Sequence, residues 1–231
     1  MGNGDRIKAI EEIIKDGIAR KEPFVLFGVS NENAKELTTK FKGVFELCLD
    51  RDGMDYVYLR QELAELKGKK YQPKRNHISY FKNNQNWTYE RIDKSNISEC
   101  IEMSRKWLEG FPGDYEYIED LQGEFKIIQK AFESYEELGF TGGLIRTDGK
   151  VIAYTMGEEM SSDMFCIHFE KAFSNIRGAY PMINQQFVLN ELSSYTYVDR
   201  EDDLGIENMR KAKLSYYPFS LPEKYDAVFI L

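Results

Sequence analysis

Cysteine and histidine are scarce in this chain. The three cysteines, Cys48, Cys100 and Cys166, are scattered without a Cys-x-x-Cys pair, and the two histidines, His77 and His168, lie far apart. That spacing excludes a disulfide framework and a zinc ribbon, and no metal site is expected. No Gly-x-Ser-x-Gly turn or Cys–His nucleophile pair is present either. No apolar run approaches the ~18 residues that a membrane-spanning helix needs. The start, MGNGD, lacks a signal-peptide pattern, so a soluble, cytoplasmic chain without a transmembrane segment is expected. Basic charge is also short: 39 acidic against 31 basic residues give a net charge of −8. This argues against a general nucleic-acid coat, though not against a local basic patch.

What the chain has in quantity is aromatic residues, 15 Tyr and 15 Phe in 231 positions, enough for one large or two small packed domains. Isoleucines at helical spacing predict an amphipathic helix over 6–20. A strand over 24–29 and a helix from Asn31, its expected cap, come next, then strands over 44–49 and 56–59. The basic stretch 63–83 reads as helical in its second half, with Pro73 in the first turn. After the polar run 83–86 the pattern restarts, which divides the chain into units 1–86 and 87–231. The second unit reads as strand 87–92, helices 95–108 and 118–138, and a hairpin 142–158 turning at Asp148-Gly149. Strand 164–172, helix 181–192, strand 195–198, helix 206–213 and strand 225–230 complete it.

Strand 164–172 (MFCIHFEKA) carries the most chemistry. Simple alternation puts Phe165, Ile167 and Phe169 on one face, and Met164, Cys166, His168 and Glu170 on the other, with Lys171 just beyond. A histidine beside a carboxylate suits acid–base work or polar-substrate binding, or is an ordinary ion pair under a helix. Glu158, ending the preceding strand, is placed to complete a pocket with His168 and Glu170. Lys67, Lys69, Lys70, Lys74 and Arg75, with His77 beside them, form a basic cluster that either holds phosphates or is a solvated face. On helix 181–192, Tyr180, Asn184, Phe187 and Glu191 share a face, with Asn184 the polar exception. The acids Glu201, Asp202 and Asp203 precede a helix ending in Arg210, Lys211 and Lys213, a distribution that suits the helix dipole.

The blocks KGKKYQPKRNHISYFK (67–82), HFEKA (168–172), YVDREDDLGIENMRKAKLSYYP (197–218) and KYDAVFI together resemble the phosphatidylglycerol lysyltransferase C-terminal domain family, which is similar to Fem-type aminoacyl transferases. The resemblance covers nearly the whole chain from about residue 20. It implies an α/β, tandem GNAT-like acyltransferase fold with mixed central sheets flanked by helices. Related chains carry more residues ahead of MGNGD, so the first unit is expected to be short at its N-terminus.

It further implies transfer of an amino acid from aminoacyl-tRNA to a small, lipid or peptide acceptor by direct attack. The large membrane-spanning part of the lysyltransferases is missing from this sequence, which weakens lipid as the acceptor. The alternatives are acetyl-CoA-dependent N-acetyl transfer and a non-catalytic module binding an amino acid or anionic metabolite. The loop 175–180 lies where a GNAT protein wraps the coenzyme A pyrophosphate, but it holds one glycine rather than a Gly-x-Gly run. On this reading no cofactor is firmly implied, and tRNA is the expected partner through Lys67–Arg75. His168 and Glu170, with Glu158, organise or deprotonate the acceptor. Lys213, matching the lysine of the family's terminal motif, steadies charge at the ester. Arg75 and Asn76, matching an Arg-Asn position, join Lys171, Asn184, Tyr197, Arg200, Arg210 and Tyr216 as substrate-binding candidates.

Overall fold

A computed structural model describes residues 4–110 and 115–230, so part of the MGNGD start, on which the short first unit is expected, lies outside the described residues. Packing divides the chain into two compact units. One comprises 1–56, 202–213 and 220–231; the other comprises 57–201 and 214–219. These boundaries are drawn differently from the 1–86 and 87–231 division read from the sequence. Residues 57–86 pack with the second unit, and the last strand joins a sheet in the first.

In the first unit, α1 (Arg6–Arg20), β1 (Val25–Ser30), α2 (Asn31–Lys40) and β2 (Phe45–Leu49) follow the expected order. The N-cap of α2 is Ser30, whose hydroxyl accepts from the Asn33 amide, rather than Asn31. The C-terminal strand β9 (Lys224–Phe229) lies between β1 and β2, antiparallel to both. Its alternate residues Ala227 and Phe229 are buried with Leu37 and Phe45, and the Phe24 ring stacks on Phe229 at 4.7 Å.

The second unit is built on a six-stranded sheet. Its members are β3 (Val57–Leu59), β4 (Trp87–Arg91), β5 (Thr141–Thr147), β6 (Lys150–Ser161), β7 (Met164–Ala172) and β8 (Tyr197–Asp199), in the order β3-β8-β7-β6-β5-β4. All neighbours are antiparallel except β7 and β8. The β5–β6 turn has positive φ at both Asp148 and Gly149, the geometry that Asp-Gly favours. Helices α5 (Ile97–Glu109) and α6 (Tyr115–Glu133) cover one face through a core that includes Cys100, Met103, Ile128, Phe132, Tyr154 and Met156. Helix α7 (Ala179–Asn190), buried along most of its length, packs on β5, β6 and β7. Behind it lie α3 (Arg60–Glu65), a short helix that the sequence pattern does not reveal, and α4 (Gln72–Asn84), which holds Pro73 in its first turn as expected. Helix α8 (Glu207–Leu214) connects β8 to β9.

Strand β7 departs from simple alternation. Ile167 pairs with Gly157 and Phe169 with Met156, so His168 is an extra residue, a β-bulge. Gly157 permits the close approach: a Cβ there would stand 1.8 Å from the Cys166 carbonyl oxygen. Beyond the bulge the faces exchange. Phe169 joins the core under α5 and α6, whereas Glu170 turns to Asn184 on α7. The expectation that Phe169 shares a face with Phe165, and Glu170 with His168, is thereby corrected.

Candidate active site

The bulge separates two polar clusters that the sequence pattern merges. On the α5/α6 side, His168 lies 5.7 Å from Phe140, ring centre to ring centre. Its Nδ1 is 2.7 Å from Glu201 Oε1 and its Nε2 is 3.0 Å from Glu158 Oε1. The Cys166 sulfur is 3.8 Å from Nδ1. Contacts from Cys166, Glu201 and then Glu158 outweigh partial burial and push the imidazole up to about 11. His168 is therefore an imidazolium at neutral pH, with both N–H groups facing carboxylates. In this arrangement it has no free nitrogen with which to deprotonate an acceptor.

On the α7 side, Glu170 accepts from Arg200 Nη2 at 2.9 Å and from Asn184 Nδ2 at 3.0 Å. Asn184 is 1% exposed, and its Oδ1 has no hydrogen-bond partner among the described residues. The Arg200 guanidinium lies over the rings of Tyr58 and Tyr216, at 5.7 and 5.0 Å. From α4, the Lys74 ammonium sits 3.9 Å above the Tyr216 ring. Burial first, then the Arg200 charge, brings the Lys74 amine down to about 8, against the opposing pull of Glu170. Burial holds Tyr216 protonated, well above the ordinary tyrosine value.

The sheet explains why this cluster forms here. The parallel pairing of β7 with β8 ends at Cys166↔Asp199, after which β7 runs on to Ala172 beside β6 alone. The strands part there, and successive residues of the departing chain serve opposite sides: Arg200 reaches Glu170 and Glu201 reaches His168. Glu201 holds a left-handed backbone, φ 55°, with its amide donating to Asp199 Oδ1 at 2.8 Å.

Other expected site residues have structural partners. Arg75 donates to the Leu66 and Gly68 carbonyls and to Gln72, tying α4 to the end of α3. Asn76 pairs with exposed Gln72. Lys67 and Lys70 pair with Glu65 and Glu62, so these members of the basic cluster are engaged within the protein. Lys171 bonds Glu124 at 2.7 Å and covers the Trp107 ring. Tyr197 packs against Phe219. In the other compact unit, Arg210 holds buried Asp203, whose carboxyl it keeps far below the usual range, and Lys213 donates to the Asp202 carbonyl. The structure thus brings together Glu170, Asn184, Arg200 and Tyr216, and adds Lys74. The signal for Lys74 lay in α4: it shares a face with Ile78 and Phe81, both buried. Nothing in the sequence singles out Glu201 as a partner of His168.

The loop before α7 packs against α4. Gly178, at φ 89°, packs so tightly on α4 that a Cβ would lie 2.4 Å from the His77 carbonyl oxygen, and Arg177 stacks on Tyr80 at 4.3 Å. No described helix is long and apolar enough to cross a membrane.

Comparison with known proteins agrees with this architecture. The sequence matches the family model described as "Phosphatidylglycerol lysyltransferase, C-terminal" over residues 1–228. A conserved protein of unknown function from Bacteroides thetaiotaomicron VPI-5482 has a similar crystal structure, with 38% identity and a TM-score of 0.88 over 99% of this chain and 77% of that one. L-PGS from Bacillus licheniformis has a similar fold at 13% identity, TM-score 0.65, covering 95% of this chain and 71% of that one. An uncharacterised protein of Mycoplasmoides gallisepticum is 24% identical over 179 residues, 74% of this chain and 54% of that protein. The chain therefore spans about half the length of this curated relative.

Proposed function

The chain belongs to the phosphatidylglycerol lysyltransferase C-terminal family, and from that premise we propose that it is an acyltransferase that moves an amino acid from aminoacyl-tRNA to an amine or hydroxyl of a small, lipid or peptide acceptor. The observation that carries this reading is the buried cluster where β7 and β8 part. Glu170 and the unpartnered Asn184 Oδ1 offer two acceptors to an amino group. Lys74, with its amine brought down to about 8, can take up a proton near neutral pH.

In the proposed step, the acceptor nitrogen or oxygen attacks the ester carbonyl carbon and the bond from that carbon to the ribose oxygen breaks. The acceptor's proton passes to neutral Lys74 and then to the departing ribose oxygen. Arg200 positions Glu170 and, by its charge, favours the neutral form of Lys74. The single glycine of the 175–180 loop, seated tightly against α4, favours a donor other than coenzyme A.

The test is retention of bulk charged tRNA against uncharged tRNA at fixed salt, with acetyl-CoA as competitor. Preferential retention of charged tRNA, reduced at least tenfold in Glu170→Gln, is the expected result. Absence of retention overturns the reading. Acetyl-CoA binding would then put N-acetyl transfer first, and binding of neither would leave a metabolite-binding module.

A further inference from the structure

We propose that Cys166, His168 and Glu201 form a binding site for one divalent transition metal of the zinc class, with Glu158 as the carboxylate that orients the histidine. The three donor atoms converge. Cys166 Sγ lies 3.8 Å from His168 Nδ1 and 4.0 Å from Glu201 Oε1, and the latter two are 2.7 Å apart. Tetrahedral zinc, with bonds of about 2.0–2.3 Å, spaces its ligand atoms roughly 3.3–3.8 Å apart. Accommodating the ion therefore requires Glu201 to move away from the imidazole and toward the sulfur by about half an ångström. Its side chain is 44% exposed.

The surroundings have the features of a metal site. A sulfur, an imidazole nitrogen and a carboxylate oxygen make a donor set that selects zinc-like ions over magnesium or calcium. Binding the ion displaces the Nδ1 proton of the imidazolium, and Nε2–H then donates to Glu158 at 3.0 Å, the second carboxylate that commonly fixes the ring of a ligating histidine. Strand alternation places Cys166 and His168 on the same face, and the left-handed turn at Glu201 brings in the third donor from the departing end of β8. Three protein ligands leave a fourth tetrahedral position for water or a substrate atom. The site is distinct from the Glu170–Lys74 cluster, on the opposite face of β7.

The experiment uses the full chain, stripped with chelator and carrying Cys48→Ser, because Cys48 is an exposed competing thiol. Cobalt(II) is titrated, then displaced by zinc. The expected result is one cobalt per chain with a thiolate-to-cobalt charge-transfer band, abolished by one equivalent of zinc. Cys166→Ser should remove the band, and Glu158→Gln should weaken binding by about 10–100-fold. Should Cys166→Ser fail to fold, Glu201→Gln, altered at a partly exposed side chain, must weaken binding at least tenfold. The proposal is overturned by absence of the band, by its survival in Cys166→Ser, or by unchanged affinity in Glu201→Gln.

Discussion

The two polar clusters of β7 begin only two residues apart, yet they are different kinds of device. His168 is held between carboxylates that are nearly half exposed, 46% for Glu158 and 44% for Glu201. Glu170 meets Arg200 with both side chains close to 90% buried, at 12% and 11% exposure. Water can replace each partner in the first cluster, whereas in the second it has little access, and each group depends on the protein for its solvation. A one-residue bulge sorts them, so local backbone geometry decides which acid sits in a wet site and which in a dry one.

The largest expected effect breaks the dry side. Glu170→Ala removes the carboxylate from the buried Arg200 guanidinium and the acceptor from Asn184 Nδ2, and should lower stability by about 3 kcal/mol. Chemical denaturation checks this, and a loss below 1 kcal/mol would mean that water solvates Arg200 after all. Next comes the device that separates the clusters. Gly157→Ala sets a methyl against the Cys166 carbonyl, and should cost on the order of 2 kcal/mol while disturbing both clusters at once. A neutral Gly157→Ala would show that the bulge does not depend on that approach.

Much of this architecture was legible. The Asp148-Gly149 hairpin, the helix entered through Pro73 and the Asn184 position all follow from local chemistry, because each rests on a backbone preference or a polar exception on an apolar face. The separation of His168 from Glu170 was not, since alternation assumes an unbroken pleat and the extra residue is specified by the facing strand, at Gly157. The placement of β9 between β1 and β2 was hidden for a related reason: an apolar strand does not state which sheet it joins. Arg75 stands out by its charge and its match to a family position, whereas its partners in the fold, the Leu66 and Gly68 carbonyls, leave no mark in the sequence.

The next contrast is one of titration. If, as proposed, Lys74 takes the acceptor's proton, then with its amine near 8 turnover should rise roughly tenfold between pH 7 and pH 9. Lys74→Met should abolish that rise along with most activity. Stability carries its own sign. The folded chain releases the Lys74 proton near 8 and the unfolded chain near 10.5, so the unfolded state binds more protons in between. Lys74's contribution to stability therefore increases with pH across that window, and Lys74→Met should lose the increase.

The smallest effect belongs to the wet cluster. Glu158→Ala deletes one of the two carboxylates facing His168, but water can reach the Nε2 side and Glu201 still holds Nδ1. A pair this exposed is worth well under 1 kcal/mol once side-chain ordering and screening are counted, so the denaturation midpoint should barely move. Set beside Glu170→Ala, this gives two glutamate deletions on neighbouring strands that differ several-fold in cost for reasons of solvent access alone. If Glu158→Ala instead costs as much as Glu170→Ala, the His168 cluster is structural and dry in solution. The contrast drawn between the two faces of β7 would then be wrong.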